Sequence, residues 1–141
     1  MIEHIWTFLC RGSAVDRDSN SLSIFDIVEQ FSLVPVDQQP HPQMIPLFFE
    51  LVSVWARQNP AEPCREFARV ELSQPDNTTL PITEYEVDLM EFERSRIRGR
   101  LPGFPTNMPG RYFVQVSRRP TEDDPWEVVA RVPLTIVPPQ A

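Results

Sequence analysis

GRYFVQVS (residues 110–117) decides the fold of this chain, together with WEVVARVPLTI (residues 126–136). In the first stretch every second residue from Tyr112 is apolar, and in the second stretch every second residue from Trp126 is apolar. A period of two residues over this length predicts strands with one buried face. The segment between them holds two prolines and an Asp-Asp pair, which indicate a hairpin loop. We therefore expect two adjacent antiparallel strands in the last third of the chain.

Shorter apolar runs separated by turn signals continue this pattern through the rest of the sequence. The chain holds 16 prolines and 4 glycines, and the prolines cluster between the apolar runs, where they disfavour long helices. Short strands with a turn signal about every 8–12 residues are typical of a sandwich. We expect an all-β protein, a two-sheet antiparallel β-sandwich of seven or eight strands, immunoglobulin-like or C2-like, with residues 1–141 in a single domain. The other predicted strands are 4–11, 22–33, 47–57, 65–73, 83–89 and 94–101.

The charge of the chain argues against some classes of partner. The formal net charge is −7, whereas a non-specific nucleic-acid binder needs a basic footprint. The same acidic balance disfavours docking on anionic lipid by charge. Residues 1–10 lack the basic segment and long apolar run of a signal peptide. We therefore expect a cytoplasmic protein that binds no nucleic acid, no membrane and no cofactor. Cys10 and Cys64 are then expected as reduced, buried thiols, with a disulfide between them as the alternative.

Gly110-Arg111-Tyr112 resembles the Gly-x-Tyr at the start of the penultimate strand of immunoglobulin-like folds, the tyrosine-corner region. Val114 stands where antibody-type domains carry a cysteine, so their disulfide is not implied. Most of the chain also resembles one small bacterial family of unknown function. That resemblance implies a β-sandwich and brings no activity and no catalytic residue. The motifs that carry it are Ile24-Phe25-Asp26, a proline-rich loop before the apolar strand from Pro46 to Trp55, Gln74-Pro75-Asp76-Asn77, Leu101-Pro102-Gly103-Phe104-Pro105, Pro109-Gly110-Arg111-Tyr112 and Val-Ala-Arg-Val-Pro-Leu at 129–134.

The most unusual local pattern is a run of alternating arginines, which we name the arginine stripe: Arg94, Arg96, Arg98 and Arg100. On an extended strand they project from one face at intervals of about 6.6 Å, and like charges in a row repel one another unless something opposes them. One interpretation is structural, with the arginines paired across strands to acidic residues, namely Glu84, Glu86, Asp88, Glu91 and Glu93. The other is functional, because guanidinium groups bind carboxylates and phosphates bidentately. The stripe is therefore a candidate site for an anion or an acidic partner.

Residues 34–46 form the longest predicted loop. Long loops in compact domains often carry function. Met44 and Ile45 would be the apolar anchors of this loop for a partner. The alternative is a plain connection between the two sheets.

Asp16, Asp18 and Asn20 match the first three ligand positions of a calcium loop. The match stops there, because Ser21 stands where such a loop needs glycine and Ile27 where it needs glutamate. We favour a solvated hairpin turn. The alternative is a C2-like calcium site that pools aspartates from several loops, with Asp76, Asp123 and Asp124 as the further candidates.

No motif in the sequence indicates catalysis. His4 and His41 lack ligand-spaced companions, the cysteines form no C-x-x-C pair, and there is no nucleophile elbow or glycine-rich phosphate loop. We therefore expect a non-enzymatic module that binds a protein partner or forms a homo-oligomer through a sheet edge, the arginine stripe or the 34–46 loop. A calcium- or anion-binding sensor domain is the alternative. A hydrolase would need acids or a histidine that converge on a pocket.

Overall fold

The computed structural model describes residues 1–32, 44–45, 49–101, 104–105 and 108–137. Over these residues the protein is all-β, with eleven strands and no helix. The strands are β1 (Ile2–Val15), β2 (Leu22–Ile27), β3 (Gln30–Ser32), β4 (Met44–Ile45), β5 (Phe49–Arg57), β6 (Cys64–Ser73), β7 (Thr79–Leu89), β8 (Arg94–Leu101), β9 (Phe104–Pro105), β10 (Gly110–Arg119) and β11 (Glu127–Val137).

Eight of these strands build two antiparallel sheets. Sheet A has the order β2-β1-β5-β8, and sheet B has the order β11-β10-β6-β7. The short strand β3 adds to sheet B in parallel beside β11, and β4 pairs with β9 over two residues. The predicted two-sheet antiparallel sandwich is therefore confirmed.

The core lies between the inner faces of the two sheets. Ala68, Val70 and Leu72 of β6 are buried and alternate with less buried neighbours, as the period-2 pattern predicts. Trp55 of sheet A is fully buried in the same cluster. Each such aliphatic or aromatic side chain contributes roughly 1.5–3 kcal/mol on burial. The inward parity of the strands therefore supplies the main driving force for the sandwich.

Tyr112 forms a tyrosine corner, as the Gly-x-Tyr pattern predicts. Its hydroxyl donates a 2.6 Å hydrogen bond to the carbonyl oxygen of Met108, four residues upstream. Gly110 has a φ of 137°, and a Cβ atom there would lie 3.0 Å from Pro75 Cγ, so this position requires glycine. In immunoglobulin-like sandwiches this tyrosine lies near the start of strand F, between strands C and G. Strand β10 likewise lies between two neighbours of sheet B, β6 and β11.

The predicted strand 22–33 is in fact two strands that belong to different sheets. β2 pairs with β1 in sheet A, whereas β3 pairs with β11 in sheet B. Asp26, the next-to-last residue of β2, has a φ of 51° and breaks the extended path. Val28 is the first residue after β2, and its N–H donates to the Leu9 carbonyl at 2.8 Å. The change of sheet was not predictable from alternation, since both halves are extended and apolar.

The parity predicted for the last strand fails beyond a β-bulge. The register between β10 and β11 shifts between Val116 and Ser117. As a result Val129 packs against the core, while Val128 is 48% exposed. Trp126, expected on the buried parity, instead contacts the guanidinium groups of two arginines of sheet B.

A buried ion pair ties the first strand to sheet B. Glu66 of β6 and Arg118 of β10 are both buried, with Arg118 Nη1 2.8 Å from Glu66 Oε2. The other oxygen of Glu66 accepts the backbone N–H of Ile2 at 2.9 Å. Arg118 Nη2 also lies 3.0 Å from Glu127, whose side chain is exposed. Because Ile2 begins β1 of sheet A, this cluster joins the two sheets.

Candidate functional site

One side of the sandwich carries the edges of both sheets. β8 ends the order of sheet A and β7 ends the order of sheet B, and neither has a second partner strand among the described residues. The two strands lie side by side and are joined by the short turn 90–93. We call this the open side of the sandwich. It exposes two rows of unpaired backbone groups.

The arginine stripe lies on the outer face of β8. Its four residues are exposed, whereas Ile97 and Leu101 on the opposite parity pack in the core. The partner strand of β8 is β5, with Val52 opposite Arg98 and Val54 opposite Arg96. The stripe therefore forms as the sequence predicts, and its neighbours on β5 are apolar opposite Arg96 and Arg98 but acidic, at Glu50, opposite Arg100.

The predicted pairing of the stripe with acidic residues of the preceding segment is wrong. Glu84, Glu86 and Asp88 lie on the outer face of β7, which pairs with β6 and not with β8. Arg65 of β6 takes two of these carboxylates, at 3.2 Å from Glu86 and 2.9 Å from Asp88. Within the described ranges no salt bridge joins Glu84 to any cation. The outer face of β7 is therefore an acidic strip, and within one copy it lies on the opposite face of the sandwich from the arginine stripe.

The β1–β2 hairpin holds the two central arginines of the stripe. Arg96 Nη1 donates to the carbonyl oxygen of Asn20 at 2.7 Å, and Arg98 Nη1 lies 3.2 Å from Ser13 Oγ. These bonds are exposed and therefore weak. In the described part of the chain, the guanidinium groups of Arg94 and Arg100 have no hydrogen bond or ion pair, and Glu50 of β5 lies opposite Arg100.

A crevice of about 390 Å³ opens between the sheets along this side. Leu51, Val70, Ile82, Ile97 and Leu101 form its apolar walls, and Ser53, Thr83, Tyr85, Gly99 and Arg100 complete the lining. A Cβ atom built at Gly99 would meet no heavy atom within 4 Å, so the missing side chain leaves open space at the wall. The sequence analysis did not find this crevice. Its only signal is a serine and a glycine at inward positions of two apolar strands.

A chain of hydrogen-bonded polar side chains leads from His4 to Ser53, which lines the crevice. His4 Nε2 lies 2.7 Å from Thr7 Oγ1, which lies 2.8 Å from Ser53 Oγ. Burial raises the pKa of Tyr85, and the nearby Trp55 indole and Ser53 hydroxyl offset part of that rise. The Tyr85 hydroxyl and Trp55 Nε1 are nevertheless buried without an aligned hydrogen bond to any described residue. Two polar atoms next to the crevice therefore lack a partner.

The turn at one end of the open side exposes apolar side chains. Phe92 is 70% exposed and Met90 is 48% exposed. Apolar groups exposed next to polar rims often mark contact surfaces. The open side thus combines unpaired edges, both signs of charge and exposed apolar groups.

The calcium candidates Asp16, Asp18 and Asn20 stabilise the turn in which they lie. Asp16 Oδ1 accepts the backbone N–H groups of Ser19 at 2.8 Å and Asp18 at 2.9 Å, and these bonds hold the pKa of Asp16 below its ordinary value. Asn20 completes the turn with a φ of 58°. Nowhere in the described ranges do three acidic, histidine or cysteine side chains come together as a metal site requires.

The pooled aspartate site is not assembled either. Asp76 lies in the β6–β7 turn, at the end of sheet B where Pro75 meets Gly110. Asp124 lies in the β10–β11 turn, next to the end of β10 at Arg119. Because β10 runs from one of these ends to the other, Asp76 and Asp124 are on opposite ends of the sandwich. They cannot share one ion.

The other sequence candidates fall partly outside the described structure. The backbone of Met44 and Ile45 forms β4, which pairs with β9. The side chains of these two residues are not described, and the rest of the 34–46 loop, including His41, lies outside the described residues. Cys10 is buried and Cys64 half-buried, and both are free thiols, so the alternative of a disulfide between them is wrong.

The comparisons with known proteins identify no family for this chain. No protein-family model matches the chain, and no curated protein matches it either. The resemblance to a small bacterial family therefore stays a prediction. Among the described residues no helix is long and apolar enough to cross a membrane.

Proposed function

We propose that this protein is a non-enzymatic assembly module, in which two copies join through their open sides. One observation carries the proposal: two unpaired edge strands of opposite charge lie on the same side of the sandwich. β8 carries the arginine stripe, and β7 carries Glu84, Glu86 and Asp88 on its outer face. An unpaired edge is a template for a strand of another chain, and a second copy offers the complementary charge.

A two-fold axis parallel to the strands would form both contacts at once. The turn 90–93 reverses the chain, so β7 and β8 run in opposite directions. Around such an axis, β8 of one copy meets β7 of the other as an antiparallel pair, and the reverse contact forms simultaneously. The interface is then closed, which limits the assembly to two copies.

The charges match in spacing as well as in sign. Sheet A of one copy would continue into sheet B of the other, with the two outer faces on the same side. Arginines and carboxylates both repeat every second residue, at about 6.6 Å, so they would stand as cross-strand pairs. Arg65 already holds Glu86 and Asp88, but these pairs are about half exposed and exchange at little cost.

We propose the cytoplasm as the site of action. Cys10 and Cys64 are both free, and free thiols are typical of a reducing compartment.

The test compares three proteins by size-exclusion chromatography with light scattering over a range of concentrations. We expect the wild type to be a dimer and the variant R96E/R98E to be a monomer, because like charges would face each other along both contacts. The dissociation constant should rise by at least about 100-fold. The control R111E/R131E makes the same change of charge at exposed arginines of β10 and β11, away from the open side, and should remain a dimer. A monomeric wild type, or equal dissociation of the two variants, would overturn the proposal.

Thermal unfolding of the same proteins checks that the variant is folded. Arg96 loses one exposed hydrogen bond to the β1–β2 hairpin and Arg98 loses two, so the melting temperature of the monomer should change little. The salt dependence is a second readout, since contacts between exposed charges weaken as ionic strength rises.

A further inference from the structure

The outer face of sheet B brings arginines onto aromatic rings. Two guanidinium groups contact the ring of Phe113 on β10, with Arg131 Cζ 4.1 Å and Arg111 Cζ 5.3 Å from the ring centroid. Both arginines are exposed. In the described part of the chain, no salt bridge joins either of them to a carboxylate. Their charges are therefore available to a partner.

The same arrangement recurs farther along β10. The ring centroid of Trp126 lies 4.6 Å from Arg69 Cζ and 4.4 Å from Arg119 Cζ. Arg69 is also paired with Glu71, whereas Arg119 donates to the carbonyl oxygen of Glu122 at 2.7 Å. Two rings on one face of the sheet thus each hold two guanidinium groups. We name this surface the arginine–aromatic face, formed by Arg69, Arg111, Phe113, Arg119, Trp126 and Arg131.

The local charge of this face is opposite to the net charge of the chain, which is −7. Strands β10 and β11 contain one acidic residue, Glu127, and it pairs with the buried Arg118. On β6, the carboxylate of Glu71 is already taken by Arg69. The arginines of β10 and β11 therefore form a positive surface without carboxylates of their own.

The geometry favours the carboxylates of a peptide as the ligands. A guanidinium group stacks on an aromatic ring and binds a carboxylate through its N–H groups. The ring contact also restricts the arginine before a partner binds, which lowers the cost of ordering it. Single-stranded nucleic acid needs open rings on which its bases stack, and here guanidinium groups lie over both rings. From Arg111 to Arg119 an extended strand advances about 26 Å, the length of about eight residues.

We propose that the arginine–aromatic face binds an extended acidic segment of a partner protein, about eight to ten residues long. Carboxylates of this segment pair with the guanidinium groups of Arg111 and Arg131, and farther along the strand with Arg119. This inference goes beyond assembly and does not depend on it, because β6 separates β10 from the edge strand β7.

The test is fluorescence anisotropy at low ionic strength, where contacts between exposed charges are strongest. The probe is a fluorescein-labelled ten-residue peptide that alternates glutamate and serine. A peptide that alternates glutamine and serine has the same length without the charge, and a ten-nucleotide oligothymidylate tests for nucleic acid. We expect saturable binding of the glutamate peptide with a dissociation constant of about 100 μM or tighter, and binding of the glutamine peptide at least about tenfold weaker. No binding of the glutamate peptide, equal affinity for both peptides, or tighter binding of the oligothymidylate would overturn the proposal.

A pair of variants locates the peptide. R111E/R131E should weaken the glutamate peptide by at least about tenfold, because like charges would then face each other. R11E/R17E is the matched control, since it makes the same change of net charge at exposed arginines of β1 and the β1–β2 turn. Its affinity should stay within about twofold of the wild type. Equal loss of affinity in the two variants would show that binding follows net charge alone. R111Q/R131Q is the milder replacement if the charge reversal prevents folding, and wild-type affinity in that variant would overturn the proposal.

This proposal and the assembly proposal fail separately. R96E/R98E dissociates the proposed dimer but leaves the arginine–aromatic face unchanged, so it should bind the glutamate peptide as the wild type does. Loss of peptide binding in R96E/R98E, with binding retained in R111E/R131E, would place the acidic segment on the arginine stripe and overturn the proposal.

Discussion

Replacing Glu66 by alanine removes the centre of the buried ion pair that joins β1 to sheet B. The carboxylate accepts the Ile2 N–H at 2.9 Å and lies 2.8 Å from Arg118 Nη1. In the variant, Arg118 keeps only Glu127, whose side chain is 65% exposed. A nearly buried guanidinium group is then left without its main partner, and the Ile2 N–H without its acceptor.

The expected cost follows from this geometry. Removing one partner of a buried ion pair costs about 3–5 kcal/mol. We expect a value near the lower limit, about 3 kcal/mol, because the contact of Arg118 with Glu127 persists. In a domain of this size, 1 kcal/mol shifts the melting temperature by about 2–4 °C, so the shift should be about 6–12 °C.

The assay is urea denaturation followed by tryptophan fluorescence, since Trp55 is fully buried in the folded protein. Glu127→Gln is the control, because it removes only the exposed partner and should cost less than about 1 kcal/mol. The double change E66L/R118L should recover much of the loss, since apolar residues replace both charges. If Glu66→Ala and Glu127→Gln destabilise equally, the cluster does not join the sheets as described.

Three further predictions follow from single residues. Gly110→Ala should destabilise by about 1–3 kcal/mol in denaturant titrations, since the φ of 137° and Pro75 at 3.0 Å both oppose a side chain, whereas Gly99→Ala, with open space, should be near neutral. Burial raises the pKa of Tyr85 in the folded state, so above about pH 10 the unfolded chain loses this proton first and stability falls; Tyr85→Phe should lessen that fall, as measured by melting temperature against pH. Burial lowers the pKa of His4 below 6.5, so the unfolded chain gains a proton first as pH falls through 6.5, and stability decreases. His4→Gln should flatten the stability profile between pH 7 and 5, and an unchanged profile would contradict the burial of the neutral ring.

The strands and the fold class were predictable because they depend on local pattern. Strand β8 runs from Arg94 to Leu101, the range that the alternating arginines predict. The tyrosine corner at Tyr112 was also predictable, since it needs only a glycine and a tyrosine at fixed spacing. Each of these signals lies within a few consecutive residues.

The pairing of strands was not predictable, because it depends on contacts between distant segments. The acidic residues nearest the stripe in sequence lie on β7, yet the hydrogen-bonded neighbour of β8 is β5, about forty residues earlier. The change of sheet at Asp26 and the bulge at Val116 alter which side chains point inward without altering composition. The crevice depends on small residues at Ser53 and Gly99 of two neighbouring strands, and their proximity cannot be read from any short stretch of sequence.

Assembly through the open side is the central claim, and a charge-swap mixture tests it most directly. R96E/R98E and E84R/E86R should each be monomeric alone, because each places like charges along both contacts. In an equimolar mixture, the reversed β8 of one variant faces the reversed β7 of the other, and the two unchanged strands also match. Light scattering of the mixture should therefore show a heterodimer. A mixture that remains monomeric while the wild type is a dimer would contradict pairing of β8 with β7.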